Sequence, residues 1–307
     1  RRWSNWSSPL QFSTTVPDIA DHLQDLRISE FMYHPPEPVG NETAISTNRD
    51  EFEFVELKNV GSIPLDLSDV RFTKGIDFTF GGSAVEALQP DSFALVVKNI
   101  AAFERRYGTG FPIAGEYPED NLRNSGERLK LSYGAGLPIH DLDEYSDRFP
   151  WPASADGGGF SLTLIDVNQP LSPDHNDAAS WRLSRFTGGS PGADDEVSLA
   201  AWMLLHGVSD LQSDEDGDGL DALLEFVLGG DPKVSSSDLL PVATLETIMV
   251  NDLADSYLTI SFQHQVATDE VARIVEFSSD LVSWTAGGIL VSQAPSEDND
   301  GLVTESW

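Results

Sequence analysis

The 307-residue sequence contains no cysteine. That excludes disulfide staples, thiolate metal sites and a cysteine nucleophile. Basic residues are scarce too: 18 Lys and Arg stand against 51 Asp and Glu, a net charge of −33. Phosphate backbones and anionic lipid surfaces demand cationic patches, so nucleic acid is a poor partner and an acidic membrane surface is disfavoured. No apolar run approaches the roughly 18 residues of a membrane-spanning helix, and this segment is not expected to insert directly. The six histidines, His22, His34, His140, His175, His206 and His264, show no metal-ligand spacing such as HExxH. Nor is there a Gly-x-Ser-x-Gly elbow, a Rossmann fingerprint or a P-loop. Carboxylate pairs say little in a chain this acidic. The chain therefore reads as non-catalytic. Charge of one sign at this density self-repels unless salt or divalent cations screen it, which points to a saline or calcium-rich setting.

What is present is concentrated in Asp214-Glu215-Asp216-Gly217-Asp218-Gly219-Leu220, closed by Glu225. Carboxylates at loop positions 1, 3 and 5, glycine at 6 and glutamate at 12 give the spacing of an EF-hand-type calcium loop. Ca²⁺ takes six to eight hard oxygens, and alternate residues of a tight loop converge on one ion. Asp214, Asp216, Asp218 and Glu225 are the expected side-chain ligands, with the main-chain carbonyl of Leu220 at position 7. Gly219 supplies a sharp turn that a side chain would obstruct. Position 9 is Ala222, which leaves that place to a water. Leu220, Leu223, Leu224, Val227 and Leu228 form one apolar stripe of a short helix, which Gly229-Gly230 stops. Upstream, Val197, Ala200, Ala201, Leu204 and Leu205 make a second stripe, with Asp194 or Asp195 as cap and Gly207 as terminator. Helix, calcium loop and helix thus follow one another.

Either side of this unit the period is two. Strands are predicted at Leu26–Tyr33, Glu51–Leu57, Asn59–Ser62, Val70–Thr73, Ile76–Phe80, Phe93–Lys98, Glu127–Tyr133, Phe160–Ile165 and Trp181–Ser184, with one helix over Ile100–Tyr107. Turn residues between them recur at the spacing of an antiparallel sandwich. Glu30 and Glu56 occupy similar places in two early strands and could share a cation or an arginine such as Arg148. Asp166, Asp174 and Asp177 could form a second calcium site, but their spacing matches no ligand cage and favours a solvated or salt-bridged loop. After Ser235-Ser236-Ser237 the alternation returns in Tyr257–His264 and Val271–Ser278. Residues 1–16, with Trp3 and Trp6, read as the last strand of a preceding β-module, and 17–25 as a linker.

The segments ISEFMYHPP, DEFEFVELKNVGSIPLDLSDVRFTKGIDFTF, LRNSGERLKL, DRFPWPASADGGGFSLTLI and SWRLS, followed by GGSPGAD, resemble the bacterial lamin-tail domain over about residues 26–194. DEDGDGLDALLEFVLGGDP resembles a single bacterial thrombospondin type 3 calcium repeat over about 210–232. Asp221 departs from that pattern, since it stands at position 8 where the family places its acid at 9. The first resemblance implies an immunoglobulin-like β-sandwich used as a non-catalytic module in large secreted or surface proteins of bacteria. The expected architecture is mainly β: a sandwich over 26–194, a helix–calcium loop–helix junction over 195–232, and a second, incomplete β-sandwich over 233–307. The expected role is a structural or adhesion segment of a longer bacterial protein, stiffened by Ca²⁺, whose partners are other extracellular or surface proteins or polysaccharide. An accessory module that binds polysaccharide or another surface for an extracellular enzyme is the alternative.

Overall fold

The computed structural model describes residues 17–168, 173–250, 253–298 and 300–307. The expected strand within 1–16 lies outside the described residues. The fold is mainly β, with 30% strand and 17% helix. In chain order its first part comprises α1 (Ala20–Asp25), β1 (Leu26–Met32), β2 (Phe54–Asn59), β3 (Leu65–Asp66), β4 (Val70–Lys74), β5 (Phe78–Thr79), β6 (Ala87–Leu88), β7 (Phe93–Val97), α2 (Ile100–Tyr107), β8 (Ile113–Glu116), β9 (Leu129–Tyr133), β10 (Leu137–Leu142), β11 (Leu162–Leu164) and β12 (Trp181–Leu183). Then come α3 (Leu199–His206), α4 (Ala222–Leu228), β13 (Val242–Val250), β14 (Leu253–Gln265), β15 (Glu276–Phe277), β16 (Thr285–Ala286), β17 (Ser292–Pro295) and β18 (Leu302–Ser306).

Six strands order as β12-β11-β1-β2-β7-β8 and four as β10-β9-β4-β5. Ile28, Phe31, Val55 and Leu57 of the first sheet share one core with Val70, Phe72, Leu129 and Leu131 of the second. Each fully buried side chain of this size contributes about 1.5–3 kcal/mol, which is why two apolar faces close on each other. Pairing in the large sheet is antiparallel except between β7 and β8, which run parallel because α2 carries the chain across. Asn99 caps α2 by accepting from the Ala102 amide, and Gly108 follows its last residue.

The period-two pattern holds, yet its polar face is not wet. Every residue of β1 and β2 is buried. On the outer side Met32, Phe54, Leu95 and Val97 pack against Phe103 of α2. Ser190 and Gly192, on the segment after β12, cover Glu30 and Glu56 by donating their amides to them. Some predicted boundaries shift for local reasons. Glu51 and Phe52 belong to a 3-10 turn, Arg49–Phe52, so the strand starts at Phe54. Of the strand expected over Asn59–Ser62 only Asn59, the last residue of β2, is extended; the chain then turns, because Asn59 accepts from the Gly61 amide and donates to the Ile63 carbonyl. The stretch read as a linker carries α1, and Ile19 before it enters the core.

The C-terminal β-region is a four-stranded sheet, β13-β14-β18-β17, with a separate β15-β16 ribbon. Tyr257–His264 lies within β14, whereas only Glu276 and Phe277 of the predicted strand over Val271–Ser278 are extended and paired. Val266, Ala267 and Val303 belong to the same apolar cluster as the sandwich core. A buried ion cluster fastens the contact. Arg182 on β12 grips Asp269 through Nε–Oδ1 and Nη2–Oδ2 contacts, both 2.7 Å, and also donates to Asp195. Removing one partner of such a cluster strands the others without a counter-charge, at about 3–5 kcal/mol. Arg182→Met is therefore expected to lower the unfolding free energy by that amount in urea denaturation.

Glu53 offers a second check. It is fully buried; its Oε2 accepts from the Leu122 amide and Tyr117 hydroxyl, while Oε1 has no partner. Burial pushes its carboxyl up to about 9, against the opposing Leu122 hydrogen bond. The folded chain thus keeps a proton that the unfolded chain releases near pH ~4.3. Stability from this group is fullest below that value and falls as pH rises towards 9. Glu53→Gln, which needs no proton to be buried, should remove that fall, so the variant should gain stability on the parent between pH ~4 and pH ~8. Denaturation curves at the two pH values test this.

Candidate metal centre

The loop between α3 and α4 is wired by its own carboxylates. Asp214 Oδ1 accepts from the amides of Gly217 at 2.7 Å and Asp218 at 3.2 Å, and its Oδ2 accepts from Gly219 at 3.1 Å. Asp218 Oδ1 accepts from the Leu220 amide at 2.8 Å, and its Oδ2 accepts from Ser236, beyond α4. These bonds curl the chain so that Asp214, Asp216 and Asp218 bring one carboxylate oxygen each within 4.8 Å of one another. Gly217 and Gly219 adopt φ of +77° and +98°, a region L-residues avoid. The space around a Cβ at Gly219 is open, so the glycine is required by backbone conformation rather than by obstruction. That corrects the steric reason given above.

Glu225, on α4, is influenced by the charges of these aspartates. It is 1% exposed, and its Oε1 has no hydrogen-bond partner. Asp216 Oδ2 is likewise buried without a partner. Burial, then the charges of Asp216, Asp218, Asp231 and Asp214, push the Glu225 carboxyl up to about 7. The three aspartates, one of them with a buried unpartnered oxygen, form a cluster of hard oxygens that could hold a metal ion. Of the side-chain ligands expected from the spacing, Asp214, Asp216 and Asp218 come together, Glu225 lies near enough for their charges to raise its carboxyl, and Leu220 follows the three aspartates with its side chain buried. Asp221 does not join them; it caps α4 by accepting from the Leu224 amide. Ala222, at position 9, is buried and carries no oxygen. Asp231 and the Ser236 amide were not singled out from the sequence. Both lie past the helix, where a loop pattern gives no signal.

The helices pack differently from their predicted stripes. Leu204 and Leu205 of α3 are 85% and 81% exposed, and the buried residue is Trp202, at 5.4 Å between ring centroids from Phe226. In LAAWMLLH nearly every position is apolar, so periodicity selects no face and the largest side chain does. Ser198, not Asp194 or Asp195, caps α3; Asp194 pairs with Lys58 and Asp195 with Arg182. On α4 the buried set is Ala222, Glu225, Phe226, Val227 and Leu228, while Leu224 is exposed. Gln265 of β14 donates to the Phe226 carbonyl at 2.7 Å, which seats α4 on the C-terminal sheet. Arg148 is exposed beside Asp147 and is no partner for Glu30 or Glu56. Asp166 and Asp177 accept from nearby amides in turns, and the Asp174 side chain lies outside the described residues.

No family model matches this chain, and no curated protein or solved structure matches it.

Glu225→Gln should act with opposite signs on stability and binding. Without calcium it removes a buried charge facing three carboxylates, so the melting temperature at pH ~8 should rise. With calcium it removes a ligand, so affinity should fall at least about tenfold. Thermal melts in EDTA and in millimolar calcium, run beside a calcium titration, check both.

Proposed function

We propose that this chain is a non-catalytic structural or adhesion segment of a larger secreted or cell-surface bacterial protein, in which Ca²⁺ stiffens the helix–loop–helix joint. The observation that carries the reading is the pair of buried, partnerless oxygens, Glu225 Oε1 and Asp216 Oδ2, beside the Asp214–Asp216–Asp218 cluster. The lamin-tail-like motifs and the single type 3-like repeat support the same setting, as does a charge of −33 that calcium would screen. In this reading Asp214, Asp216, Asp218, Glu225 and the Leu220 carbonyl hold the ion. The ion ties the loop to α4, and α4 is seated on the C-terminal sheet through Gln265. The partners are other extracellular or surface proteins or polysaccharide.

Without the ion the clustered carboxylates repel, at roughly 1 kcal/mol per pair 4 Å apart in a water-like dielectric. A helix as short as α4 does not persist alone. Limited proteolysis tests the joint directly. In EDTA, cleavage should concentrate between Gly207 and Pro232 while the sandwich survives; in calcium that window should resist. Identical digests in both conditions would remove calcium from the role.

One feature favours the accessory reading, in which the chain holds polysaccharide for an extracellular enzyme. A groove of about 460 Å³ between the sandwich and the C-terminal sheet is lined by Phe149, Trp151, Trp307 and Arg273, and Phe149 is 67% exposed. Aromatic faces beside a guanidinium suit sugar rings. Retardation in polysaccharide-containing gels, abolished by Phe149→Ala, would favour that role over the structural one.

A further inference from the structure

A second set of buried carboxylates lies well away in sequence from the loop. Arg182, Thr163, Glu30 and Glu56 are successive cross-strand partners on β12, β11, β1 and β2, so their side chains form one row on the outer face of the six-stranded sheet. Glu30 and Glu56 are each 1% exposed. A cavity of about 30 Å³ borders Glu30, Glu56 and Thr163, roofed by Ser190 and Asp195. That is room for a single water or ion.

The donors around the pair are neutral. Glu30 accepts from the Ser161 hydroxyl and from the amide and hydroxyl of Ser190; Glu56 accepts from the Ser29 hydroxyl and the Gly192 amide. Two carboxylates offer about eight acceptor positions, so part of that capacity is left open. The cations on this face already have partners, although Arg182 also lines the cavity. Arg182 serves Asp195 and Asp269, Lys58 serves Asp194 and Asp91, and Arg27 donates to the Gln24, Leu26 and Val167 carbonyls. Thr163, 7% exposed, borders the cavity with an Oγ1 that is buried and has no partner. Neutral donors orient a carboxylate but do not cancel its charge, and a water would not either.

We propose that the Glu30–Glu56 pair, with Thr163 Oγ1, binds a hard divalent cation of the calcium class inside the sandwich, separately from the loop between α3 and α4. Oxygen-only donors and the absence of histidine among the cavity's neighbours select that class over softer metals. The ion would clamp β1, β2 and β11 to one another at the place where the segment after β12 folds over them.

The test uses the full chain carrying Asp216→Ala and Glu225→Gln, which disables the loop. Equilibrium dialysis against calcium, with bound metal read by atomic spectroscopy, should find one equivalent per chain. Adding Glu56→Gln should abolish it. Thr163→Val, which keeps shape and alters no charge, should weaken it by at least about tenfold, the size of effect that loss of a supporting group already produces. If Glu56→Gln does not fold, Thr163→Val alone decides. A loop-disabled protein that binds no calcium would overturn the proposal and leave the pair neutralised by a proton. So would an equivalent that neither Glu56→Gln nor Thr163→Val changes.

Discussion

Negative charge that must go inside is the constraint on which this structure turns. A chain with a net charge of −33 places Glu30, Glu53, Glu56, Asp195 and Glu225 out of water. Each needs a counter-charge, a set of donors or a proton, because an isolated carboxylate in an apolar interior is prohibitively costly. The fold uses a different answer in each region. Asp195 shares the Arg182 guanidinium with Asp269. Glu53 sits against one amide and one phenol, with its carboxyl pushed up to about 9 by burial. Glu225 is buried, and the charges of Asp216, Asp218, Asp231 and Asp214 add to the effect of burial in raising its carboxyl.

Those answers also set the architecture. Arg182 joins β12, the segment leading into α3 and the turn after β14 in one cluster, and the apolar core runs on into Val266, Ala267 and Val303. The C-terminal sheet is thereby docked on the sandwich without help from the loop. A cation in the loop then has a more limited mechanical task than joining two β-regions. It would fix α4 and the turn at Ser236 relative to a sheet already held in place.

The convergence of Asp214, Asp216 and Asp218 was legible in the sequence because it is local. An ion that gathers alternate residues of one turn dictates both residue type and spacing, and Asp214, Asp216, Asp218 and Glu225 follow that rule. The helix Ile100–Tyr107 was legible for the same reason, since Asn99 and Gly108 mark its ends. Long-range contacts left no such trace. Arg182 and Asp269 are 87 residues apart, and nothing near either announces the other. The burial of the polar face of β1 and β2 depends on the segment carrying Ser190 and Gly192, which lies over it from at least 136 residues away in sequence. The stripe through Leu204 and Leu205 failed because an all-apolar helix has no periodic face to read, and Trp202 chose the packing side instead.

The most direct measurement is a calorimetric calcium titration of the intact chain and of Asp216→Ala, carried into the millimolar range where extracellular modules bind, at a Kd of about 10⁻⁴ to 10⁻³ M. If the loop holds an ion through Asp216, the variant will bind one equivalent less than the parent. Equal stoichiometry and affinity in the two proteins would contradict a calcium centre between α3 and α4.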